Sequence, residues 1–217
     1  PEQISVSHLA LDLDVNFDKK IISGDVELTV KRMQAGANTL ILDTRDLTIN
    51  GVTANGMPIP YTLGAEDSFL GAPLSITVPE GVNKVTVSYH TSPQASGVQW
   101  LTPAQTAGKQ HPFLFTQSQA IHARSFMPLQ DSPQVRVTYS ATIHTPKDLL
   151  AVMSASNDPD TARDGVYEFD MPQPIPAYLI ALAVGDLKFK AMGKRTGVYA
   201  EPALLDAAAD EFADTES

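Results

Sequence analysis

There is no cysteine anywhere in the 217 residues. That absence excludes a disulfide framework, a thiol nucleophile and a thiolate metal site. It leaves the compartment open, because a cysteine-free chain folds in either redox environment. Cations are also scarce: 15 Lys and Arg stand against 25 Asp and Glu, a formal net charge of −10. Affinity for a phosphate backbone rests on clustered Lys and Arg, so the balance argues against DNA or RNA as a partner. No stretch approaches the roughly 18 apolar residues that a membrane span needs, so no membrane partner is expected. The opening Pro1-Glu2-Gln3-Ile4 has neither the basic nor the apolar region of a signal peptide, and a removed one leaves no trace. The expected location is therefore the cytoplasm. What remains is 43% apolar and 18% charged, enough to bury a core and too apolar for a disordered chain.

Hydrophobic residues recur with period two. Leu9, Leu11, Leu13 and Val15 alternate with polar neighbours, and after Asn16–Lys20 the pattern resumes at Val26, Leu28 and Val30, which predicts an antiparallel hairpin. Short runs at Thr39–Asp43, Leu47–Ala54, Leu74–Val78 and Lys84–His90 predict further strands, with Asn50-Gly51 and Asn55-Gly56 as turns between them, since an Asn-Gly pair tolerates the positive φ of a tight hairpin. Between Thr91 and Arg124 the alternation weakens around Pro93, Pro103 and Pro112, and irregular backbone is expected. It returns at Val135, Val137, Tyr139, Ala141 and Ile143. The continuous run Tyr178–Val184 then predicts a strand buried on both faces. Sixteen prolines, among them Pro172, Pro174 and Pro176, leave little room for long helices. The body reads as all-β: a saddle-like β-sandwich of mixed and antiparallel sheets, residues 1–200.

Residues 201–217 differ. They hold six acids and no Lys or Arg, so without them the net charge falls to −4. Leu204, Ala208 and Phe212 fall on one helical face with Asp206, Asp210 and Asp214 on the other, which predicts a short C-terminal helix that needs a surface to pack on. A frayed acidic terminus fits the same pattern.

The common catalytic signatures are missing: there is no H-E-x-x-H, G-x-S-x-G, P-loop or G-x-G-x-x-G. The five histidines, His8, His90, His111, His122 and His144, include no close pair with metal-ligand spacing. One segment, Phe113–Pro128, concentrates polar chemistry, with Gln117, Ser118, Gln119, His122 and Arg124. On an extended strand Gln117 and Gln119 would share a face, and an amide offers both an acceptor and donors to an ammonium or a peptide group. The same amides could instead bond neighbouring backbone across an irregular connection, and residue chemistry alone leaves both readings open.

Four segments carry a resemblance: Leu42–Ile49, Gln99–Pro103, Gln117–Arg124 and Tyr178–Gly185. In order and spacing they resemble the N-terminal domain of the leukotriene A(4) hydrolase/aminopeptidase N family of zinc metallopeptidases, from about His8 to the end of the chain. The resemblance implies a β saddle followed by a thermolysin-like catalytic domain, with Phe212–Ser217 as the helix leading into it. It implies that the parent enzyme removes N-terminal residues from peptides. It also implies that zinc is bound through H-E-x-x-H and a distal Glu in that absent domain, so this fragment alone is expected to be inactive. Carried over residue by residue, Gln119 matches the glutamine that recognises the substrate's free amino terminus together with the Glu of G-x-M-E-N. Gln117 lines the same pocket, and Ser118 and Ala120 supply its wall. The expected partners are a peptide substrate and the missing catalytic domain. The other reading is a free-standing β-sandwich binding or adhesion module without catalytic activity.

Overall fold

A computed structural model describes residues 1–216. Among them the alternating runs form strands β1 (Ile4–Asn16), β2 (Ile21–Arg32), β3 (Thr39–Thr44), β4 (Leu47–Ala54), β5 (Met57–Pro58), β6 (Tyr61–Leu63), β7 (Ala72–Thr77) and β8 (Lys84–Thr91). After these come β9 (Val98–Leu101), β10 (Phe113–Thr116), β11 (Arg136–His144) and β12 (Leu150–Met153). The last strands are β13 (Val166–Pro176), β14 (Leu182–Gly185), β15 (Lys188–Ala191) and β16 (Gly197–Ala200), followed by helix α1 (Leu205–Glu211). A seven-stranded sheet runs β13-β11-β1-β2-β8-β4-β5, with β1 parallel to β11 and its other pairs antiparallel. Separate antiparallel sheets are β12-β14-β10-β9, β3-β7-β6 and the hairpin β15-β16.

One apolar cluster joins these sheets, with Leu9, Leu13, Ile22, Leu28, Leu42, Val87, Leu114, Tyr139 and Val184 all fully or almost fully buried. Each such side chain contributes about 1.5–3 kcal/mol of burial free energy. The hairpin β1–β2 is where the alternation places it. A bulge between Val6 and His8 shifts the phase, so Ile4 and Val6 face the core with Leu9, Leu11 and Leu13.

Two local expectations fail. Asn55-Gly56 is a turn, with φ of 50° and 73°, but Asn50-Gly51 lies inside β4 at a bulge between Ile49 and Gly51. Its flanks stay paired with β8 on both sides, so the Asn absorbs an extra residue instead of reversing the chain. The run Tyr178–Val184 is likewise not one strand. Pro176 opens a 3-10 turn over Ala177–Leu179, closed by Ile180 N–H on Ala177 O, and only the second half enters β14. The proline cluster sits on the edge strand β13, where the pairing with β11 skips Pro172 and Pro174 and resumes at Ile175 and Pro176.

Residues 91–124, expected to be irregular, also contribute β9 and β10. The helical tail is present and packs on β15–β16 through buried Ala209, with Lys190 Nζ on Asp206 Oδ1 at 2.7 Å. Leu204 and Phe212, expected on the packed face, are about half exposed, at 48% and 54%. Ser217 lies outside the described residues. At the root of the tail Glu201 accepts two successive backbone N–H groups, from Ala107 at 2.9 Å and Gly108 at 3.2 Å.

Candidate functional site

Strand β10 ends one residue before the glutamines. It is held between β9 and β14, and Thr116 Oγ1 accepts the Leu182 N–H at 2.9 Å. The chain then leaves the sheet. Gln117 N–H donates to Gly97 O at 2.9 Å, and the Gln117 side-chain carbonyl accepts Gln119 N–H at 3.0 Å. Ser118 is buried, with its hydroxyl on Ile180 O at 3.1 Å, and its carbonyl accepts His122 N–H at 2.9 Å. Gln119 and Ala120 are exposed, and the peptide between them is cis.

The expected joint face of two amides is therefore absent, because Gln117 and Gln119 follow the strand end and lie in a turn. Gln117 uses its carbonyl to close that turn. The Gln119 amide has no hydrogen-bond partner among the described residues, so its acceptor and donors are available to a ligand.

Two contacts hold the back of the turn. Gly97 approaches so closely that a Cβ there would lie 2.6 Å from His122 O and 2.9 Å from Ser125 Oγ. Its N–H donates to Ser125 Oγ at 2.8 Å, Ser125 Oγ donates to His122 O at 2.8 Å, and Ser96 Oγ meets His122 Nδ1 at 2.8 Å. Within the 3-10 turn Ala123–Ser125, buried Arg124 donates through Nε to Asp131 Oδ2 at 3.1 Å, through Nη2 to Asp131 O at 3.1 Å, and through Nη1 to Leu70 O at 2.8 Å. Asp43 Oδ1 lies 3.6 Å from Nη1, and Arg124 O accepts Arg45 N–H at 2.9 Å. Burial pushes the Asp131 carboxyl above its ordinary range while Arg124 pulls it back.

Sequence reasoning missed Gly97 and Asp131 and noted Arg124 only as a polar neighbour. The one available signal was an arginine and an aspartate in a stretch, Ala120–Asp131, with no other Asp, Glu, Lys or Arg, since unpaired charges are rarely buried.

Among the described residues no group of three or more His, Asp or Glu is placed to hold a metal ion. His8 bonds Thr138, His122 bonds Ser96 and His144 bonds Asp12, in three separate places. These three histidines do not meet at one centre. A concavity of about 830 Å³ is on the outer face of the seven-stranded sheet, lined by Asp12, Asp25, Glu27, Glu168 and Asp170. It includes none of the Gln117–Ala120 residues, and alternating acids are the ordinary solvated face of such a sheet. Among the described residues no helix is long and apolar enough to cross a membrane.

Fold and loop together describe an all-β domain with the Gln119 amide exposed on a turn whose backbone is tied on both sides. Residues 5–179 match the peptidase M1 N-terminal domain, and the chain belongs to that family. It is 42% identical to leukotriene A-4 hydrolase of Xenopus laevis, covering 100% of this chain and 37% of that protein. Leucine aminopeptidase 2 of Eremothecium gossypii is 37% identical over 97% of this chain and 34% of its own length. The solved structure of yeast leukotriene A4 hydrolase in complex with bestatin superposes with a TM-score of 0.90 at 35% identity, over 99% of this chain and 34% of that one. An M1 zinc metallopeptidase from Deinococcus radiodurans shares the fold, with a TM-score of 0.68 at 22% identity over 91% of this chain and 46% of that one. The chain thus spans about a third of the length of its curated relatives.

Proposed function

We propose that this chain is the substrate-capping N-terminal domain of a zinc metallo-aminopeptidase that removes N-terminal residues from peptides. Residues 1–200 form the capping domain, and 201–217 lead into a catalytic domain that carries the zinc. Gln119 binds the free amino terminus of the peptide through its amide oxygen, which accepts from the ammonium. Gln117, Ser118 and Ala120 form the adjoining wall. An ammonium withdrawn from water without a partner is costly, so a fixed acceptor selects peptides with a free amine and sets the register of cleavage. The domain alone holds no zinc and turns over no substrate, and it works in the cytoplasm.

The observation that carries this reading is the Gln119 amide, exposed and unpartnered on a turn whose backbone is tied on both sides. Membership of a family whose relatives include leucine aminopeptidases and M1 zinc metallopeptidases supports the reaction class. The test is Gln119→Ala in the full-length protein. A hydrogen bond to a charged group is worth about 1.5–3 kcal/mol, which corresponds to a loss of roughly 10- to 100-fold in kcat/KM for a free-amine peptide. The melting temperature should not move, because the amide has no partner in the fold. An unchanged kcat/KM refutes the assignment. The 217-residue chain by itself should hold no stoichiometric zinc and cleave no aminoacyl-nitroanilide.

A further inference from the structure

We infer that the buried Arg124–Asp131 pair is a positioning device for amine recognition: it fixes where the Gln117–Ala120 turn presents Gln119. This rests on the reading of Gln119 above. Residues 117–131 contain one short 3-10 turn and little other regular structure, so no sheet ladder fixes their path. Arg124 replaces that ladder. From five residues beyond Gln119 its guanidinium reaches Asp131 at the far end of the same segment, Leu70 O in the neighbouring 67–71 turn, and the side of Asp43 on β3. Its own N–H donates to Asp131 Oδ2 at 3.2 Å and its carbonyl holds Arg45. Asp131 N–H in turn donates to Asp43 Oδ2 at 2.9 Å, and Asp43 pairs with Leu129 as an isolated bridge.

Both charges are almost wholly out of water, with side chains 6% and 2% exposed. A pair buried this way seldom stabilises a fold more than a packed apolar pair would, because desolvation offsets the attraction. What the pair supplies that an apolar pair lacks is direction. Four hydrogen bonds of fixed geometry made by the two side chains converge on one segment, whereas a Met–Leu contact tolerates sliding. A shift of the turn carries Gln119 with it, since His122 N–H is bonded to Ser118 O.

The test compares three forms of the full-length protein: wild type, Gln119→Ala, and the double variant Arg124→Met with Asp131→Leu. The readouts are melting temperature, kcat and KM on a free-amine peptide, and inhibition by that peptide's N-acetylated form. The double variant is expected to melt within a few degrees of wild type, to lose on the order of tenfold or more in kcat/KM with most of the loss in KM, and to bind the N-acetylated peptide as wild type does. A double variant with wild-type kcat/KM beside an impaired Gln119→Ala overturns the positioning role and leaves the Gln119 reading intact. An unimpaired Gln119→Ala overturns both. Should the double variant not fold, Asp131→Asn keeps the side-chain shape and removes its charge. The same KM-selective loss is then expected, and equal losses for free-amine and acetylated peptides would overturn the positioning role in favour of a purely structural one.

Discussion

Gly97→Ala tests the close approach behind the glutamine turn. The new Cβ would sit 2.6 Å from His122 O, so that carbonyl must retreat by about 0.8 Å to regain the 3.4 Å of ordinary contact. Retreat weakens the two hydrogen bonds that His122 O accepts, from Ser125 N–H and from the Ser125 hydroxyl, each worth about 0.5–1.5 kcal/mol. Together with overpacking, the cost is about 1–3 kcal/mol, or roughly 2–12 °C in melting temperature for a chain of this size. The functional effect should exceed what lost stability explains. A misplacement near 1 Å in a positioning element costs about 100-fold, so kcat/KM in the full-length protein should fall by roughly 10- to 100-fold at a temperature where the variant is still folded. Gly51→Ala is the control: a Cβ there meets nothing within 4 Å, and both readouts should stay at wild type. If Gly97→Ala keeps wild-type activity and melting temperature, the turn is not held by this contact.

Two other perturbations have definite outcomes. Tyr139 is buried against Ser154, and burial raises its phenol to about 12 from an ordinary value of 10, so its contribution to stability is complete below pH 10 and is lost as pH rises from about 10 towards 12. An alkaline titration followed by tyrosinate absorbance and circular dichroism should show late ionisation coinciding with unfolding, and Tyr139→Phe should move that unfolding to higher pH. Glu201→Ala should leave the core intact but speed amide exchange at Ala107 and Gly108, which lose their acceptor, and unchanged protection at both would show that the contact is not populated in solution.

The sheets were legible because a half-buried strand writes its register in the sequence with period two, as β1, β2, β8 and β11 show. Bulges were not legible. The extra residue near Ser7 and the one at Asn50 depend on what the partner strand does, and an Asn-Gly pair serves a bulge as readily as a turn. The helical tail was readable as a helix, but its burial was not, because Ala209 meets β15–β16 while the larger Leu204 and Phe212 face outward. At the candidate site the glutamines stood out by composition and family resemblance. The groups that hold them, Gly97, Ser125 and the Asp131 carboxylate, come from other segments or the far end of the same loop, and no local pattern links them. The division of labour between Gln117, which closes the turn, and Gln119, which stays free, is likewise set by the chain leaving β10 at Thr116.

We propose that this domain recognises the amino terminus of a peptide through Gln119. The most direct measurement is the ratio of inhibition constants for one short peptide with its amine free and with it acetylated, in full-length wild type and in Gln119→Ala. Wild type should prefer the free amine, and the variant should lose roughly 10- to 100-fold of that preference by weakening on the free amine alone. A ratio that stays the same in both proteins would mean that Gln119 does not recognise the amine.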